Sequence, residues 1–474
     1  MNSISQPSVS PFERLDDAKA NRFQLKIMFV SGMGFFTDAY DLFIIGVVVA
    51  ILKKQWHLDS DQTALLSATT LLASAVGALV FGRLADIVGR KKMYGFEVLI
   101  LAAGALASAF APNLTWLIIF RIVLGIGVGG DYPVSATIMS EYSSSKNRGK
   151  MVGLVFAMQA AGLIVGPLIA VLLLSVGIKD DVVWRLLLGL GAIPGLAVFY
   201  LRRQIHETPR FAMADGNQDE AQAAIAQATT GANQSFSTQP QQHSRKNFSS
   251  GFATLVTNPT LLKWLLGAAL CWGLMDFAYY GNTIASPEIV GLINSKFSIT
   301  QSTLVTLAIF LVFALPGYIL AIRLLDTMGR KRIQSLGFLV MTVMYALIAI
   351  IPGVSTTVAP FIIIFGVSYF FVEFGPNTTT FVYPAEIFPT EVRTTGHGIA
   401  AAVGKIGGCI GVYLLQLNLD AWGIRTIEGV CAAVAAAGLL ITLACLPEPN
   451  GKSLEALEAE AGVRPTLTAV GATA

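Results

Sequence analysis

Long apolar runs constrain this chain more than any other feature of its sequence. Runs of about 20 residues, the length that crosses a bilayer as a helix, recur from Lys26 to the region of Cys445, and we count about twelve of them. Only 13% of the 474 residues are charged, whereas soluble domains carry roughly 25%. A soluble fold of this size could not cover so much apolar surface. The sequence therefore predicts an all-α membrane protein with twelve transmembrane helices.

The chain also contains an internal repeat. Its clearest copies are GRLADIVGRKK at residues 82–92 and IRLLDTMGRKR at 322–332, which place Asp86 and Asp326 in register. In a second pair, SEYSSSKNRG and AEIFPTEVRTTG, an acid precedes an arginine by seven residues: Glu141 and Arg148, Glu386 and Arg393. Both pairs are separated by about half of the chain, so the sequence predicts two pseudo-symmetric halves of six spans each.

The repeat divides the chain into five segments. We expect six-helix bundles over residues 26–203 and 260–447. The segment 204–259 between them is rich in Gln, Ser and Ala and is predicted to be a partly disordered linker. Residues 1–25 and 448–474 are polar ends, and a short helix is expected in SLEALEAEAG.

Positive charge is concentrated in alternate connections between the predicted spans. Cytoplasmic connections carry an excess of Lys and Arg, so these connections, both polar ends and the linker are predicted to be cytoplasmic. The chain shows no long outer domain and no transit-peptide pattern, which favours a bacterial plasma membrane. The cations that indicate this orientation are Arg83, Arg90, Lys91, Lys92, Lys146, Arg148, Lys150, Arg330, Lys331 and Arg332.

The stretch GIGVGGDYP at residues 125–133 matches the first part of a dinucleotide-binding loop, Gly-x-Gly-x-x-Gly. Such a loop needs a strand before it, but residues 116–138 form one long apolar run. Gly125 and Gly129 instead form a Gly-x-x-x-Gly face that lets a neighbouring helix approach closely. Arg121 lies on that same face because of its i, i+4 spacing.

Several other kinds of site are disfavoured by the sequence. The four cysteines fall in predicted spans without metal-like spacing, so we expect neither a metal site nor a disulfide framework. No cofactor, no nucleic-acid partner and no enzymatic nucleophile are indicated. Surface or interfacial positions are expected for the histidines, and none is assigned to proton transfer: His57, His206, His243 and His397.

Ionisable side chains inside the predicted spans are the strongest indication of function. Such groups are costly in a membrane unless they are paired or face water, so they mark transport sites. One of these ionisable residues, Glu373 in span ten, receives no role from the sequence. The others are Asp38 and Asp41 in span one, Glu97 in span three, Arg121 and Asp131 in span four, Asp276 in span seven, and Lys405 in span eleven.

The motifs quoted above resemble those of the major facilitator superfamily. More narrowly, GGDYPVSATIMSEY, GFFTDAYDLF and WGLMDFAYY look like the proton-coupled inorganic phosphate symporters of that superfamily. The resemblance covers nearly the whole chain outside the linker and the ends. It implies a proton-coupled importer of inorganic phosphate that works by alternating access and whose functional unit is a monomer.

The resemblance implies a central substrate site formed by Tyr132, Gln159, Trp272, Asp276, Tyr280 and Lys405. A Lys supplies positive charge for an oxyanion, while Tyr, Gln and Trp donate hydrogen bonds to it. Asp276 could accept a hydrogen bond from the hydroxyl that phosphate and arsenate carry and sulfate lacks, so arsenate is expected to compete. Alternatively, Asp276 and Lys405 form a buried salt bridge that ties the halves together.

Two further sets of residues receive roles by resemblance. On the proton path, Asp38, Asp41 and Asp131 are expected to carry protons, with Glu97 and Arg121 tuning them; alternatively, Arg121 and one acid simply neutralise each other. Eight residues resemble the pairs that latch the two halves on the cytoplasmic side, although the basic ones could equally serve to set orientation. These eight are Asp86, Arg90, Glu141, Arg148, Asp326, Arg330, Glu386 and Arg393.

Two other functions stay open on the sequence alone. IHETPRF and LPEPNGKSLE resemble motifs of the sugar porters, so the solute could be a sugar or an organic acid carried with protons. A charged pair at the site argues against a neutral sugar. The chain could also be a phosphate sensor that does not transport, but its linker shows no recognisable interaction motif.

Overall fold

The computed structural model describes residues 11–18, 20–229, 246–294 and 296–463. Within these residues the fold is helical and contains no strand. Twelve of the described helices are long and apolar enough to cross a membrane, which confirms the predicted number. They are Arg22–Gln55, Ser60–Val88, Arg90–Ala109, Leu114–Tyr142, Arg148–Ser175, Asp180–Arg203, Pro259–Ile293, Ile299–Met328, Arg330–Ile350, Val358–Ile387, Arg393–Leu419 and Ala421–Cys445, here called spans one to twelve.

Several spans are interrupted. Span three consists of Arg90–Met93 and Phe96–Ala109, and span six of Asp180–Leu190 and Ala192–Arg203. Spans eleven and twelve are continuous except at Gly423, whose φ of 69° turns the chain. Two spans contain one wide π-type turn each, Phe310–Ala314 in span eight and Glu373–Asn377 in span ten, and a 3-10 turn precedes span ten at Val354–Thr356.

The glycine motif of span four packs as the sequence predicts. A Cβ added at Gly125 would meet the backbone of Thr70 and the side chain of Ala73, and one at Gly129 would meet the backbone of Ser74. These three contact residues belong to span two. The Gly-x-x-x-Gly face therefore brings spans two and four together at backbone distance.

Five short helices accompany the spans: Pro11–Asp17, Pro209–Ala214, Gln218–Thr229, Lys246–Thr257 and Leu454–Glu460. The last of these is the short helix expected in the polar tail. Three lie within the segment predicted as a linker, and the middle one, Gln218–Thr229, buries a face of small residues that includes Ala221, Ala224 and Ala228. Residues 230–245, including His243, lie outside the described residues.

The short helices and the connections rich in Lys and Arg lie at the same end of the bundle. Lys91 reaches Glu220, Lys146 reaches Asp17, and the backbone N–H of Lys331 reaches Glu448. We call this the linker end. Its position agrees with the alternating pattern of charge in the sequence.

Candidate functional site

The ammonium group of Lys405 lies at the centre of a buried polar cluster between the halves. Its Nζ donates to the hydroxyls of Tyr280 at 2.7 Å and Tyr132 at 2.9 Å, and it lies 3.5 Å from Oδ2 of Asp276. It also lies 4.2 Å and 4.5 Å from the centres of the Tyr132 and Tyr280 rings, within cation–π range. A cation, two phenols and a carboxyl therefore converge on one point.

Small residues in span eleven allow this convergence. A Cβ at Gly404 would collide with the Trp272 ring, and one at Gly408 would collide with the Tyr280 ring. Gly404 directly precedes Lys405, so the close contact between spans seven and eleven also brings the Lys405 side chain to span seven. Trp272, which lies against Asp276, and Tyr280 share one face of span seven, as their four-residue spacing predicts.

A second carboxyl reaches the cluster from the first half. The Tyr132 hydroxyl donates a short hydrogen bond to Asp38, and Gln159 donates to the Tyr132 hydroxyl at 3.1 Å and to Asp38 at 3.5 Å. The structure thus brings together all six residues of the expected substrate site and adds Asp38 to them. The Lys405–Asp276 pair lies within the second half, so it does not tie the halves together as the alternative supposed. The bond from Lys405 to Tyr132 crosses between the halves.

Two residues of this cluster were not foreseen. Tyr318 of span eight donates to Oε1 of Gln159 at 3.2 Å, and Asn377 of span ten donates to the Tyr318 hydroxyl at 3.1 Å. Both are uncharged, so the search for ionisable groups within spans did not select them. Their side chains extend the cluster from Lys405 into spans eight and ten.

The remaining acids of the expected proton path are paired with two different arginines. Asp41 binds Arg121 at 2.6 Å, and both side chains are fully buried. Asp131 binds Arg202, which also binds Glu97 at 2.9 Å. The structure therefore divides the five predicted residues among the Lys405 cluster, the Asp41–Arg121 pair and the Arg202 group.

Arg202 is the functional candidate that the sequence reasoning missed. It stands near the linker end of span six and was not among the charged residues selected from the sequence, but its side chain is 0% exposed. Its guanidinium also lies 4.6 Å from the centre of the Tyr94 ring. The signal available in the sequence was that Glu97 and Asp131 together needed a cation.

At the linker end, the aspartate of each repeat caps a helix of the opposite half. Asp86 accepts hydrogen bonds from the backbone N–H and the hydroxyl of Thr395, at 2.6 Å and 2.7 Å, in the first turn of span eleven. Asp326 accepts from the backbone N–H groups of Gly149 and Lys150, at 3.1 Å and 2.8 Å, in the first turn of span five. A carboxylate is stabilised at the positive end of a helix. The two halves are therefore joined twice in the same way.

The arginines of the predicted latch surround these caps. Arg90 contacts Asp86 at 3.0 Å and Glu141 at 3.5 Å, and Arg393 binds Glu141 across the halves at 2.9 Å. In the second half, Arg330 binds three side chains and the backbone carbonyl of Leu325. In the first half, Arg148 departs from the symmetry by binding an acid of the first short helix. These contacts are Arg330 to Asp326 at 2.9 Å, Arg330 to Glu386 at 2.7 Å, and Arg148 to Asp16 at 3.1 Å, with Arg330 also at 2.9 Å from Asn450.

The motifs IHETPRF and LPEPNGKSLE extend the repeat by a third pair. Glu207 accepts from the backbone N–H groups that begin span three, and Glu448 accepts from the equivalent groups that begin span nine. Arg210 of the first motif binds Glu455 of the second at 2.9 Å. Burial opposes ionisation of Glu455, but the Arg210 guanidinium outweighs it and lowers the pKa of Glu455 to about 2.

His397 is placed differently from the prediction. It was expected at the surface or an interface, but its side chain is completely buried. One ring nitrogen bonds the carbonyl of Phe381 at 3.1 Å, and the ring packs edge-on against Trp272 with centres 5.5 Å apart. The error arose because a position one turn from a helix end was taken to be accessible, whereas the halves meet there. Among the other described histidines, His57 is exposed and His206 is half-buried.

This chain is similar to known transporters over most of its length. Residues 27–461 match the family described as "Sugar (and other) transporter". The chain belongs to this family of the major facilitator superfamily. It is 34% identical to Inorganic phosphate transporter 1-11 of Oryza sativa subsp. japonica, with 96% of this chain and 91% of that protein aligned. It is 32% identical to Low affinity inorganic phosphate transporter 4 of Lotus japonicus, with 96% and 95% aligned.

Solved structures of the same superfamily share the fold. The proton:xylose symporter XylE bound to 6-bromo-6-deoxy-D-glucose matches with a TM-score of 0.78 at 19% identity, over 92% of this chain and 99% of that one. An inward-open structure of XylE from E. coli matches with a TM-score of 0.67. The predicted superfamily and its twelve-span fold are confirmed. This member of the sugar (and other) transporter family is a multi-pass membrane protein and not an enzyme.

Proposed function

We propose that this chain carries inorganic phosphate together with protons across the membrane, by rocking of its two halves around the Lys405 cluster. The observation that carries the proposal is the convergence of Lys405, Asp276 and the Tyr132 and Tyr280 hydroxyls at the contact between the halves. Relatives named as inorganic phosphate transporters, which align over nearly the whole chain, support phosphate as the solute.

The cluster has the chemistry that a protonated oxyanion requires. Lys405 supplies the positive charge, and Tyr132 and Tyr280 donate hydrogen bonds to the phosphate oxygens once Lys405 turns towards the anion. Asp276 accepts a hydrogen bond from the phosphate hydroxyl. An acceptor left unpaired in a buried site costs about 1 to 3 kcal/mol, so arsenate competes with phosphate and sulfate, which has no hydroxyl, does not.

Proton coupling rests on acids that outnumber the cations beside them. Arg202 serves both Asp131 and Glu97, so a proton on either acid balances the charge of that group. Asp38 borders the phosphate site directly. Asp41 is a proton carrier of the same proposal, although it has Arg121 to itself, whereas Asp131 shares Arg202 with Glu97. A proton bound at these acids changes the free energy of phosphate binding, and this linkage drives accumulation.

The same proposal includes placement in the cell. The linker end, which holds the connections rich in Lys and Arg, faces the cytoplasm together with both chain termini. The membrane is a plasma membrane, the bacterial inner membrane in the simplest case, and transport is inward. Because one chain supplies every residue of the cluster, the functional unit is a monomer.

A different solute is the main rival. The family name includes sugars, and the motifs of the linker end resemble those of sugar porters. The buried Lys405 favours an anion over a neutral sugar, since a charge held there would cost free energy without a partner in the substrate. An organic acid would supply a negative charge for Lys405. Its carboxylate carries no hydroxyl, however, so it could not donate a hydrogen bond to Asp276.

Labelled phosphate uptake into proteoliposomes that contain the purified full chain tests the proposal. We expect uptake driven by an inward proton gradient, competed by arsenate and not by sulfate. Counterflow of labelled phosphate in the absence of a gradient separates a carrier from a sensor that only binds. Folded protein that shows neither gradient-driven uptake nor counterflow would contradict the proposal.

A further inference from the structure

Glu373 is a buried acid that the proposed transport cycle does not yet use. It lies in span ten and is 0% exposed. Its Oε2 accepts a hydrogen bond from Asn377 at 2.5 Å, and the hydroxyls of Tyr279 and Tyr318 face the same carboxyl. Within the described residues, no Lys, Arg or His forms an ion pair with it. A buried carboxylate without a cation is several kcal/mol less favourable than its protonated form.

The backbone at this position is shaped around the acid. Residues Glu373–Asn377 form a π-type turn, in which Gly375 leaves helical geometry with φ −103° and ψ −113°. Single π-turns inside α-helices are frequent at functional sites. The wide turn places Asn377 so that its amide contacts both the Glu373 carboxyl and the Tyr318 hydroxyl. Gly317 on span eight leaves room for Glu373, because a Cβ added at Gly317 would lie only 3.1 Å from the Cβ of Glu373.

A continuous series of side-chain hydrogen bonds joins Glu373 to the phosphate site. Asn377 donates to Tyr318 at 3.1 Å, and Tyr318 donates to Gln159 at 3.2 Å. Gln159 in turn donates at 3.1 Å to the Tyr132 hydroxyl, which also contacts Lys405. The bond between Tyr318 and Gln159 crosses from the second half to the first. Every member of the series is buried, so a change of charge on Glu373 acts on the series without screening by water.

We infer that Glu373 is a proton-binding carboxyl of the second half, whose protonation is linked to phosphate binding through Asn377, Tyr318 and Gln159. This inference rests on the proposed phosphate transport. While Tyr318 contacts Gln159, as in the arrangement described here, Glu373 holds a proton. Separation of the halves breaks the contact between Tyr318 and Gln159 and admits water to the carboxyl, which allows the proton to leave. Each transport cycle therefore moves one proton through Glu373 in addition to those carried by the acids of the first half.

The titratable groups around Glu373 are compatible with this role. Tyr279 and Tyr280 face it from span seven, Tyr318 faces it from span eight, and Tyr369 lies one turn before it on span ten. All are phenols that stay neutral over the physiological range of pH. A charge on Glu373 is therefore not compensated locally, and its proton occupancy follows the opening of the site.

Glu428 offers a matched control. It is also an acid of the second half, and its side chain is 0% exposed. It lies near Asn282 and Tyr345, and the series from Glu373 to Lys405 does not include it. Replacing Glu428 by Gln removes a buried titratable group without touching that series.

The test measures the steady-state accumulation of labelled phosphate in proteoliposomes, with an inward gradient of about one pH unit and the membrane potential clamped at zero. Each coupled proton multiplies the accumulation ratio about tenfold per pH unit, the factor that corresponds to about 1.4 kcal/mol. We expect E373Q to accumulate about tenfold less phosphate than E428Q, and E373D, which keeps a carboxyl, to reach the same accumulation ratio as wild type. Phosphate ionises equally in all samples, so the comparison reports protons bound by the protein.

The outcomes separate the two proposals. If wild type shows neither uptake nor counterflow, the proposed function is wrong. If wild type accumulates phosphate and E373Q equals E428Q, only the inference on Glu373 is wrong. If E373Q does not transport, the pH dependence of phosphate binding decides: the slope of log Kd against pH is smaller in E373Q than in E428Q, and equal slopes would overturn the inference.

If E373Q does not fold, E373D carries the test. Its carboxyl is one methylene further from Asn377, so the pH at which counterflow is half-maximal moves relative to wild type. A pH profile of E373D identical to that of wild type would then overturn the inference. A purely structural role would alter the amount of folded protein without altering that profile.

Discussion

Arg202 holds Asp131 through two parallel hydrogen bonds, from Nη1 to Oδ1 at 2.7 Å and from Nη2 to Oδ2 at 3.0 Å. The same Nη1 also bonds Glu97 at 2.9 Å. One guanidinium therefore pairs with two acids, one from span three and one from span four. Such a fork of donors is specific to arginine, because the ammonium of lysine is a single point charge.

This arrangement predicts that Arg202 cannot be exchanged for lysine. Breaking a buried ion pair by removing one partner costs about 3 to 5 kcal/mol, so R202Q lowers the free energy of unfolding by about that amount and abolishes proton-driven uptake. R202K restores less than half of the loss. Thermal unfolding in detergent and uptake by proteoliposomes measure the two effects. The neighbouring exposed Arg203, changed to Gln, is the control, and equal stability of R202K and wild type would contradict the prediction.

The second prediction concerns selection of the substrate by Asp276. D276N replaces the charged acceptor for the phosphate hydroxyl by a neutral amide, and hydrogen bonds to charged groups contribute about 1.5 to 3 kcal/mol, so phosphate uptake falls about 10- to 100-fold. E288Q alters an exposed acid on the same span and leaves uptake unchanged. Initial rates of labelled phosphate uptake, with arsenate or sulfate as competitor, provide the measurement. Wild-type uptake inhibited equally by sulfate and arsenate would refute the role of Asp276.

The third prediction concerns the helix caps at the linker end. Loss of a capping side chain costs about 1 to 2 kcal/mol, so D86A and D326A each favour separation of the halves at this end by about tenfold. The probe is S140C, in a protein that lacks the four native cysteines. Ser140 lies at a buried contact with the opposite half, so separation of the halves makes S140C react faster with a maleimide. D61A, at the opposite end of span two, leaves the labelling rate unchanged. Equal rates in D86A and D61A would show that the caps do not latch the halves.

The fourth prediction concerns pH and the Arg210–Glu455 pair. The pKa of Glu455 lies below its ordinary value, at about 2, so the stabilisation is present above the ordinary pKa of about 4.3 and disappears as pH falls towards 2. E455Q lowers the free energy of unfolding by about 3 kcal/mol at pH 7, and the difference from wild type shrinks below about pH 4.3. Apparent melting temperatures measured across this range test it. E460Q, on the same short helix, serves as the control.

The sequence was sufficient for the parts of this fold that depend on local pattern. The length of the apolar runs gave the number of spans, because a helix must satisfy its own backbone hydrogen bonds inside a bilayer. The Gly125 and Gly129 spacing identified a real packing face. The repeat around Asp86 and Asp326 located two equivalent positions, although it did not show that each caps a helix of the opposite half.

The site was only partly accessible from sequence. Charged residues inside spans, such as Lys405 and Asp276, stand out because a charge is costly there. They can therefore be selected from the sequence without knowing which residues they contact. Tyr318 and Asn377 are polar but uncharged and gave no such signal. Arg202 was overlooked because a cation near a helix end is common, and only its burial sets it apart.

The sequence alone therefore determined the class of protein, the division into halves and most of the residues that meet at Lys405. Only the tertiary structure decided which acid pairs with which cation: Asp41 with Arg121, Asp131 with Arg202, and Glu373 with none of the cations that the structure describes. Pairing depends on which faces of distant helices come into contact, and in a bundle of apolar spans that choice is made by small residues and side-chain shape. Periodicity along one helix carries no information about the rotation of its neighbour.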